Sequence, residues 1–355
     1  MITSLIQILA GNEIKASEVN NNFETLKQAH NELDAKVIRK NFLINGCGRV
    51  QQRGAYTLVK DVYGFGRADR WAGMATGTAI SVGTLTYSSI SGYGAAFGGP
   101  SGVTITGAGV LWLRQRIEAK NALFLKDKNV SFGCKIKHDV STAINYTVYI
   151  RKANAVDNFS TVTEISNLGA QSIAGGAILD LKFENIPLVD CSNGLEVEIK
   201  IDCGAITNKS FWFEELQLEL GAKVTAFEIR QFQEELALCR RYFEKSYNID
   251  ISPGTSDNKG LMHTYHFKDN GAAGYCTIPF KEEKRTVPTL ILYSEGGSGG
   301  VWDYGWSGGT GTIGTNTTIY IGKNNAALQF NWGFSGTAFV TTFWAHGHWT
   351  ASAEL

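Results

Sequence analysis

The stretch FWFEELQLEL, residues 211–220, places leucine at every second position of its latter half, with polar side chains between. In a strand, successive side chains point to opposite faces of the sheet. The leucines therefore share one face and the polar residues the other: Leu216, Leu218 and Leu220 against Glu215, Gln217 and Glu219. The pattern predicts a strand with one apolar face and one solvated face. A solvated face also explains the glutamates more simply than a catalytic carboxylate pair does.

Further segments of this kind recur at 110–117, 145–150 and 194–201, each bounded by glycine, asparagine or aspartate. The 40 glycines and only 5 prolines suit short strands joined by glycine turns. Strands in this number, without helices between them, favour an antiparallel sandwich over a βαβ fold.

Two segments have helical periodicity instead. Over 17–37 the seam residues recur at intervals of four, three, four, three and four: Val19, Phe23, Leu26, His30, Leu33 and Val37. This heptad spacing favours self-association in a coiled coil, although a helix lying on its own β domain would also use such a stripe. The second helix, predicted over 231–245, has an apolar stripe of Phe232, Leu236 and Cys239 continued by Tyr242 or Phe243. We interpret it as a connector between two β domains.

Charge and composition exclude several classes of function. Lysine plus arginine equals aspartate plus glutamate, 33 each, so no electrostatic argument supports a nucleic-acid partner. The apolar stretch 1–10 is interrupted by polar residues and too short to insert into a membrane. The six cysteines are scattered, which favours buried, reduced thiols. A secretion signal is not recognisable, and we expect synthesis in the cytoplasm.

Several short motifs resemble segments of bacteriophage and prophage tail-fibre and baseplate-associated proteins. ELALCRRYFEK at 235–245 is similar to their ELALCQRYYEK pattern, and other matches are IKASEVNNNF (14–23), NFLING (41–46), QQRG (51–54), ADRW (68–71), RQRIE (114–118), LQLELG (216–221) and ASAEL (351–355). Gln231 stands where the family usually has proline, so the corner before the helix is expected to differ.

The resemblance implies a mostly β, trimeric receptor-binding protein of the virion tail. It has an N-terminal attachment segment and trimeric coiled-coil helix (1–40), a jelly-roll domain resembling carbohydrate-binding modules (41–230), a connector helix (231–250) and a C-terminal β-sandwich tip (251–355). The implied partners are a bacterial surface glycan or outer-membrane protein, and other phage tail or baseplate proteins through the N-terminal segment. Two alternatives stay open: a structural virion decoration or baseplate component, and a tail-associated glycan depolymerase.

Two literal catalytic motifs lack their structural context. GGSGG at 296–300 has the spacing of a nucleophile elbow, but no helix is predicted after it. GTGTIG at 309–314 has the dinucleotide-binding spacing, but a strand is predicted at 315–321 where a phosphate grip needs a helix N-terminus. We predict no catalytic residues, no cofactor and no enzymatic activity.

His346 and His348 would point the same way from a strand, and three such pairs on a threefold axis could ligate one metal. The flanking Trp344 and Trp349 favour a packed strand instead, so we predict no metal site. We assign no role to His263 or His266.

Trp302, Asp303, Tyr304 and Trp306 lie between two glycine-rich runs, which suggests a loop at the tip. Sugars offer C–H faces to aromatic rings and hydroxyls to carboxylates, and loops on β scaffolds often carry binding sites. We predict that these four residues bind carbohydrate; the alternative is that the tryptophans are buried.

Overall fold

The computed structural model describes residues 16–37, 41–88, 90, 94–98, 102–266, 274–306, 309–313, 317–330 and 343–355. No helix within these ranges is both long and apolar enough to span a membrane.

The first element is helix α1, Ala16–Val37, which confirms the helix predicted over 17–37. Its seam residues Val19, Phe23 and Leu26 are 38%, 66% and 53% exposed. These three side chains are therefore not buried against the β domains. The side chains of His30, Leu33 and Val37 lie outside the described residues. The coiled coil and the trimer remain predictions.

A run of short strands follows. They are β1 (Tyr56–Thr57), β2 (Gly64–Phe65), β3 (Ala72–Thr76), β4 (Ala79–Val82), β5 (Thr84–Tyr87), β6 (Ala95–Gly98), β7 (Val103–Thr106), β8 (Val110–Ile117), β9 (Asn129–His138), β10 (Ile144–Ala155), β11 (Asn158–Ile173), β12 (Leu179–Pro187), β13 (Leu195–Asp202), β14 (Ile206–Lys209) and β15 (Phe211–Leu220). A short helix α2 (Ala119–Ala122) and a 3₁₀ turn (Leu123–Leu125) separate β8 from β9.

These strands form two six-stranded antiparallel sheets and a smaller one. The first sheet has the order β1-β5-β6-β15-β9-β12, the second sheet β11-β10-β13-β8-β3-β2, and the third β14-β7-β4. One hydrophobic core lies between them, with members such as Phe132, Phe213, Leu113 and Ile199. The antiparallel β-sandwich predicted from the period-two segments is confirmed.

Strand β15 departs from simple alternation. Glu215 has a φ of 55°, and the pairing with β9 shifts register between Glu214 and Gln217, as expected at a β-bulge. The bulge lets both Phe213 and Leu216 face the core. The predicted solvated face is wrong, because Gln217 and Glu219 are only 2% and 1% exposed.

The chain after β15 explains this burial. The Glu219 carboxylate accepts hydrogen bonds from Thr225 N–H at 2.7 Å and from the Thr225 hydroxyl at 2.6 Å. Gln217 Oε1 accepts one from Glu228 N–H at 2.8 Å. The returning segment thus covers the polar face of the strand.

The connector helix α3 spans Phe232–Arg240 and is shorter than predicted. Leu236, Cys239 and Tyr242 pack with Ile44 and Val50 in a small separate core. The expected helix end at 245 is wrong: Phe243–Lys245 is strand β16, paired with the last strand of the chain.

The remaining strands are β17 (Met262–His266), β18 (Gly274–Pro279), β19 (Thr289–Tyr293), β20 (Trp302–Trp306), β21 (Gly309–Ile313), β22 (Thr317–Ile321), β23 (Asn325–Phe330) and β24 (Phe343–Ser352). Strand β24 pairs with β16, β17, β19 and β20, and β20 pairs with β21; a second sheet has the order β18-β23-β22. A separate core, which includes Trp302, Phe330 and Trp349, lies among these strands.

Charged residues join the end of β24 to the first sandwich. Glu354 is ion-paired with Arg53 at 2.8 Å and also with Arg70. Arg241, just after α3, pairs with Glu118 at 2.9 Å. The division of the chain at residues 40, 230 and 250 stays a prediction.

Candidate functional site

The predicted tip residues lie in a strand rather than a loop, so that expectation is wrong. Trp302 is fully buried, and its indole Nε1–H donates to the His348 carbonyl at 2.7 Å. Its ring stacks against Phe330 with the centroids 5.7 Å apart. Trp302 has no exposed ring face on which a sugar could stack.

The other three residues follow the same strand. Asp303 is half-buried and accepts a hydrogen bond from Glu295 N–H at 2.6 Å. Tyr304 is half-buried against the C-terminal core. Trp306 pairs through its backbone with Phe343, and its side chain lies outside the described residues. Carbohydrate binding by Asp303, Tyr304 and Trp306 stays a prediction.

A different aromatic surface lies on the second sheet. In β8 the leucines Leu111 and Leu113 enter the core, so Trp112 faces away from it. Tyr149 of β10 lies on the same side, and the two half-buried rings have centroids 6.1 Å apart at 39°. We call this surface, centred on Trp112 and Tyr149, the aromatic face.

Strand register places polar groups between and beside these rings. Lys200 of β13 is directly opposite Trp112, and its Nζ lies 5.9 Å from the ring centroid. Glu198 is directly opposite both Arg114 and Tyr149. Donors and acceptors thus alternate with aromatic surface across three neighbouring strands.

The two carboxylates of this face are held by arginines. Glu196 accepts hydrogen bonds from Arg116 Nε at 2.8 Å and from Arg151 Nη1 at 3.1 Å. Glu198 pairs with Arg151 and accepts a bond from the Tyr63 hydroxyl. Both carboxylates are therefore already engaged in ion pairs within the sheet.

Tyr63 and Arg114 stack at the edge of the aromatic face. The Arg114 guanidinium carbon lies 3.3 Å from the Tyr63 ring centroid. Burial, with the adjacent Glu198 charge, raises the pKa of Tyr63 above its ordinary value. Tyr63 therefore remains a neutral donor at physiological pH, which suits binding and not proton abstraction.

Trp112 is not among the site residues predicted from the sequence. The signal was present, because the alternation in VLWLRQRI turns the tryptophan to the side opposite its leucine neighbours. The Trp112 Nε1–H is buried and meets no acceptor among the described residues.

The first sheet carries a groove of about 330 Å³. Its polar lining includes Lys135, Asp180, Lys182 and Glu215, and Phe227 is the aromatic residue among the described residues that line it. With no pair of rings, it offers less stacking surface than the aromatic face.

His348 is committed to internal bonds. Its Nε2–H donates to the Asp257 carbonyl at 2.9 Å, and its Nδ1 is hydrogen-bonded to the Ser246 hydroxyl at 2.9 Å. Its ring stacks on Tyr247 with the centroids 3.6 Å apart, and burial lowers its pKa. It therefore has no nitrogen left for a metal shared across a threefold axis.

His346 has a different environment. Its Nε2 lies 3.3 Å from Glu295 Oε2 and 3.9 Å from Asp303 Oδ2. The ring centroid of His263, a residue with no role predicted from the sequence, lies 4.8 Å from that of His346. One ligand atom from each of Glu295, Asp303 and His346 can be chosen so that all lie within 4.8 Å of one another.

The two catalytic motifs are not followed by helices. Ser298 N–H donates to Ser294 Oγ at 2.9 Å in a turn that leads into strand β20. In the glycine motif, Gly309–Ile313 forms strand β21, and β22 follows. Neither segment has the geometry that its motif requires.

No protein-family model and no curated protein matches this chain. Solved structures do show similarity. One is a carbohydrate-binding module of the β-sandwich superfamily, 13% identical, with a TM-score of 0.31 over 42% of this chain and 57% of that one. Another comprises the CBM22-1 and GH10 modules of Clostridium thermocellum endo-1,4-β-D-xylanase 10B with xylohexaose: 9% identity, TM-score 0.31, 54% of this chain and 30% of that one.

A third is the CBM22-1 xylan-binding domain of Paenibacillus barcinonensis Xyn10C, 9% identical, with a TM-score of 0.31 over 52% of this chain and 96% of that one. This chain spans 57% and 30% of the first two structures. Likeness at this level carries no argument about ligands.

Proposed function

We propose that this protein binds carbohydrate through the aromatic face, as a bacteriophage or prophage tail-fibre-type receptor-binding protein that attaches to a bacterial surface glycan. The observation that carries the binding proposal is the pair of half-buried rings, Trp112 and Tyr149, flanked by ordered charged groups. The rings offer stacking surface for sugar C–H groups. Arginine and lysine side chains beside them can donate hydrogen bonds to hydroxyls.

The charged groups are already oriented before a ligand arrives. Arg151 is hydrogen-bonded to Glu196 and Glu198, so little side-chain freedom would be lost on binding. Stacking on each ring contributes on the order of 1 kcal/mol beyond burial, so one face alone gives weak affinity. Several faces in one oligomer would raise the apparent affinity through avidity.

The phage assignment rests on the sequence motifs, with 235–245 as the most specific match. The exposed seam of α1, with Phe23 66% exposed, supports a homotrimeric coiled coil formed with the same helix of two further copies. The proposal also includes a jelly-roll topology, a location in the virion tail, and contact of the N-terminal segment with other tail or baseplate proteins. An outer-membrane protein is the alternative receptor.

Two other functions compete. A virion decoration or baseplate component would share this fold and trimer but would bind no glycan. A glycan depolymerase needs a free acid beside a second carboxylate. Glu196 and Glu198 do not suit that role, because arginines hold both.

The deciding experiment measures binding of the purified full-length protein to cells and extracted surface polysaccharide of a candidate host. Trp112→Ala should weaken binding by about tenfold, in line with the loss of ~1–1.5 kcal/mol of stacking. Tyr320→Ala is the matched control, since Tyr320 is an exposed aromatic (61%) on the C-terminal sheets. Unchanged binding by Trp112→Ala would reject the aromatic face, and release of reducing ends would support the depolymerase.

A further inference from the structure

We propose that the C-terminal sheet holds a divalent transition-metal cation, ligated by Glu295, Asp303 and His346, with the ring of His263 beside them on the neighbouring strand. This site lies apart from the aromatic face and does not depend on the proposed function.

Strand pairing builds most of the cluster. His346 lies in β24, and its direct cross-strand partners are His263 of β17 on one side and Asp303 of β20 on the other. Side chains directly opposite one another on neighbouring strands share a face, with Cβ atoms about 4.5–5.5 Å apart. One imidazole, a second imidazole and a carboxylate therefore stand in a single row.

The second carboxylate comes from the turn after β19. Glu295 N–H donates to Asp303 Oδ2 at 2.6 Å, which ties the turn to β20. The turn is itself closed by Ser294 N–H donating to Ser298 O at 3.0 Å. Glu295 Oε2 thereby comes within 3.3 Å of His346 Nε2.

Accessibility and charge both suit a cation. The side chains of His346, Asp303 and Glu295 are 14%, 23% and 46% exposed, so the cluster is partly desolvated but open on the Glu295 side. Among the described residues, no lysine or arginine forms an ion pair with either carboxylate. A divalent ion would offset the negative charge of the two carboxylates.

The donor set selects the type of metal. Mixed imidazole and carboxylate ligands suit Zn²⁺, Co²⁺, Ni²⁺ or Mn²⁺, whereas Ca²⁺ and Mg²⁺ prefer oxygen ligands alone. A bound ion would cross-link β20, β24 and the turn at Glu295. We infer a structural role in stabilising this sheet.

The test is calorimetric titration of the metal-stripped full-length protein with ZnCl₂ and, separately, CaCl₂. We expect one Zn²⁺ per chain and no comparable Ca²⁺ binding. Co²⁺ should give a visible absorption spectrum with nitrogen and oxygen ligation. Asp303→Asn and His346→Gln should each weaken Zn²⁺ binding by at least ~10-fold, since each removes a direct ligand.

Asp180→Asn is the matched control, because Asp180 is an exposed carboxylate on the first sandwich. Circular dichroism checks that each variant is folded. If His346→Gln does not fold, Glu295→Gln tests the same site from its most exposed ligand. Absence of Zn²⁺ binding at micromolar concentration, or equal affinity in folded site variants and wild type, would overturn the proposal.

Discussion

Trp112 and Trp302 both lie in antiparallel strands, yet they face opposite environments. Trp112 is half-buried on the outer side of β8, whereas Trp302 is fully buried in β20 and donates its indole N–H to His348 O. The difference arises because the Trp302 side of β20 packs in the C-terminal core, whereas the Trp112 side of β8 is turned away from the core of the first sandwich. Aromatic residues near glycines therefore do not by themselves identify an exposed site.

Lysine side chains show a parallel contrast. Lys284 is fully buried and donates at 2.6 Å to both Glu244 and the Arg240 carbonyl. Lys182 of the first sandwich pairs with Asp180 at 3.3 Å, and both side chains are 51% exposed. Removing one partner of the buried pair would leave an unpaired charge in the protein interior. The partners of the exposed pair are already solvated by water.

The largest expected effect tests the tryptophans. Trp302→Ala should lower the free energy of unfolding by ~3–5 kcal/mol, because it leaves a large cavity in the C-terminal core. Trp112→Ala should cost ~1 kcal/mol or less, since its ring is partly solvated. Urea unfolding monitored by circular dichroism measures both, and equal losses would contradict the contrast.

A second prediction tests the lysines. Lys284→Met should destabilise the protein by ~3–5 kcal/mol, because the buried Glu244 carboxylate loses its charged partner. Lys182→Met should change stability by ~1 kcal/mol or less, as is typical of exposed ion pairs. Melting temperatures of the two variants compare them directly. A smaller loss in Lys284→Met than in Lys182→Met would refute this account.

A smaller effect concerns ligand binding on the aromatic face. Tyr149→Phe keeps the ring and should bind host polysaccharide within about twofold of wild type, whereas Tyr149→Ala should lose about fivefold, near 1 kcal/mol. Titration with the polysaccharide measures this. An equal loss in both variants would mean that the hydroxyl, rather than ring stacking, matters.

A last prediction concerns the pH dependence of stability, through Lys245 of β16. Burial lowers the pKa of Lys245 from 10.5 to about 8, partly offset by Asp69. Between these values the unfolded chain binds more protons, so rising pH favours the folded state. Wild type should therefore gain stability relative to Lys245→Met from pH 8 to 10.5. If the free energies of unfolding of the two proteins changed in parallel with pH, the lowered pKa of Lys245 would be contradicted.

Period-two patterns allowed several strands to be predicted closely. The segments 110–117 and 211–220 coincide with β8 and β15. The same patterns missed the bulge at Glu215, because a bulge is recognised only when two residues are set against one on the neighbouring strand. They also missed β16, because Phe243–Lys245 continues a helical stripe and becomes a strand only by pairing with β24.

The sequence by itself determined that the chain is mostly β, that a heptad-patterned helix precedes the strands, and that Trp112 points away from its leucine neighbours. These properties depend on residues close together in the chain. Only the tertiary structure decided that Trp302 is buried and that His346 meets Glu295, Asp303 and His263. The reason is physical: burial and the distances between side chains on different strands depend on which distant strands become neighbours, and local periodicity carries no information about that pairing.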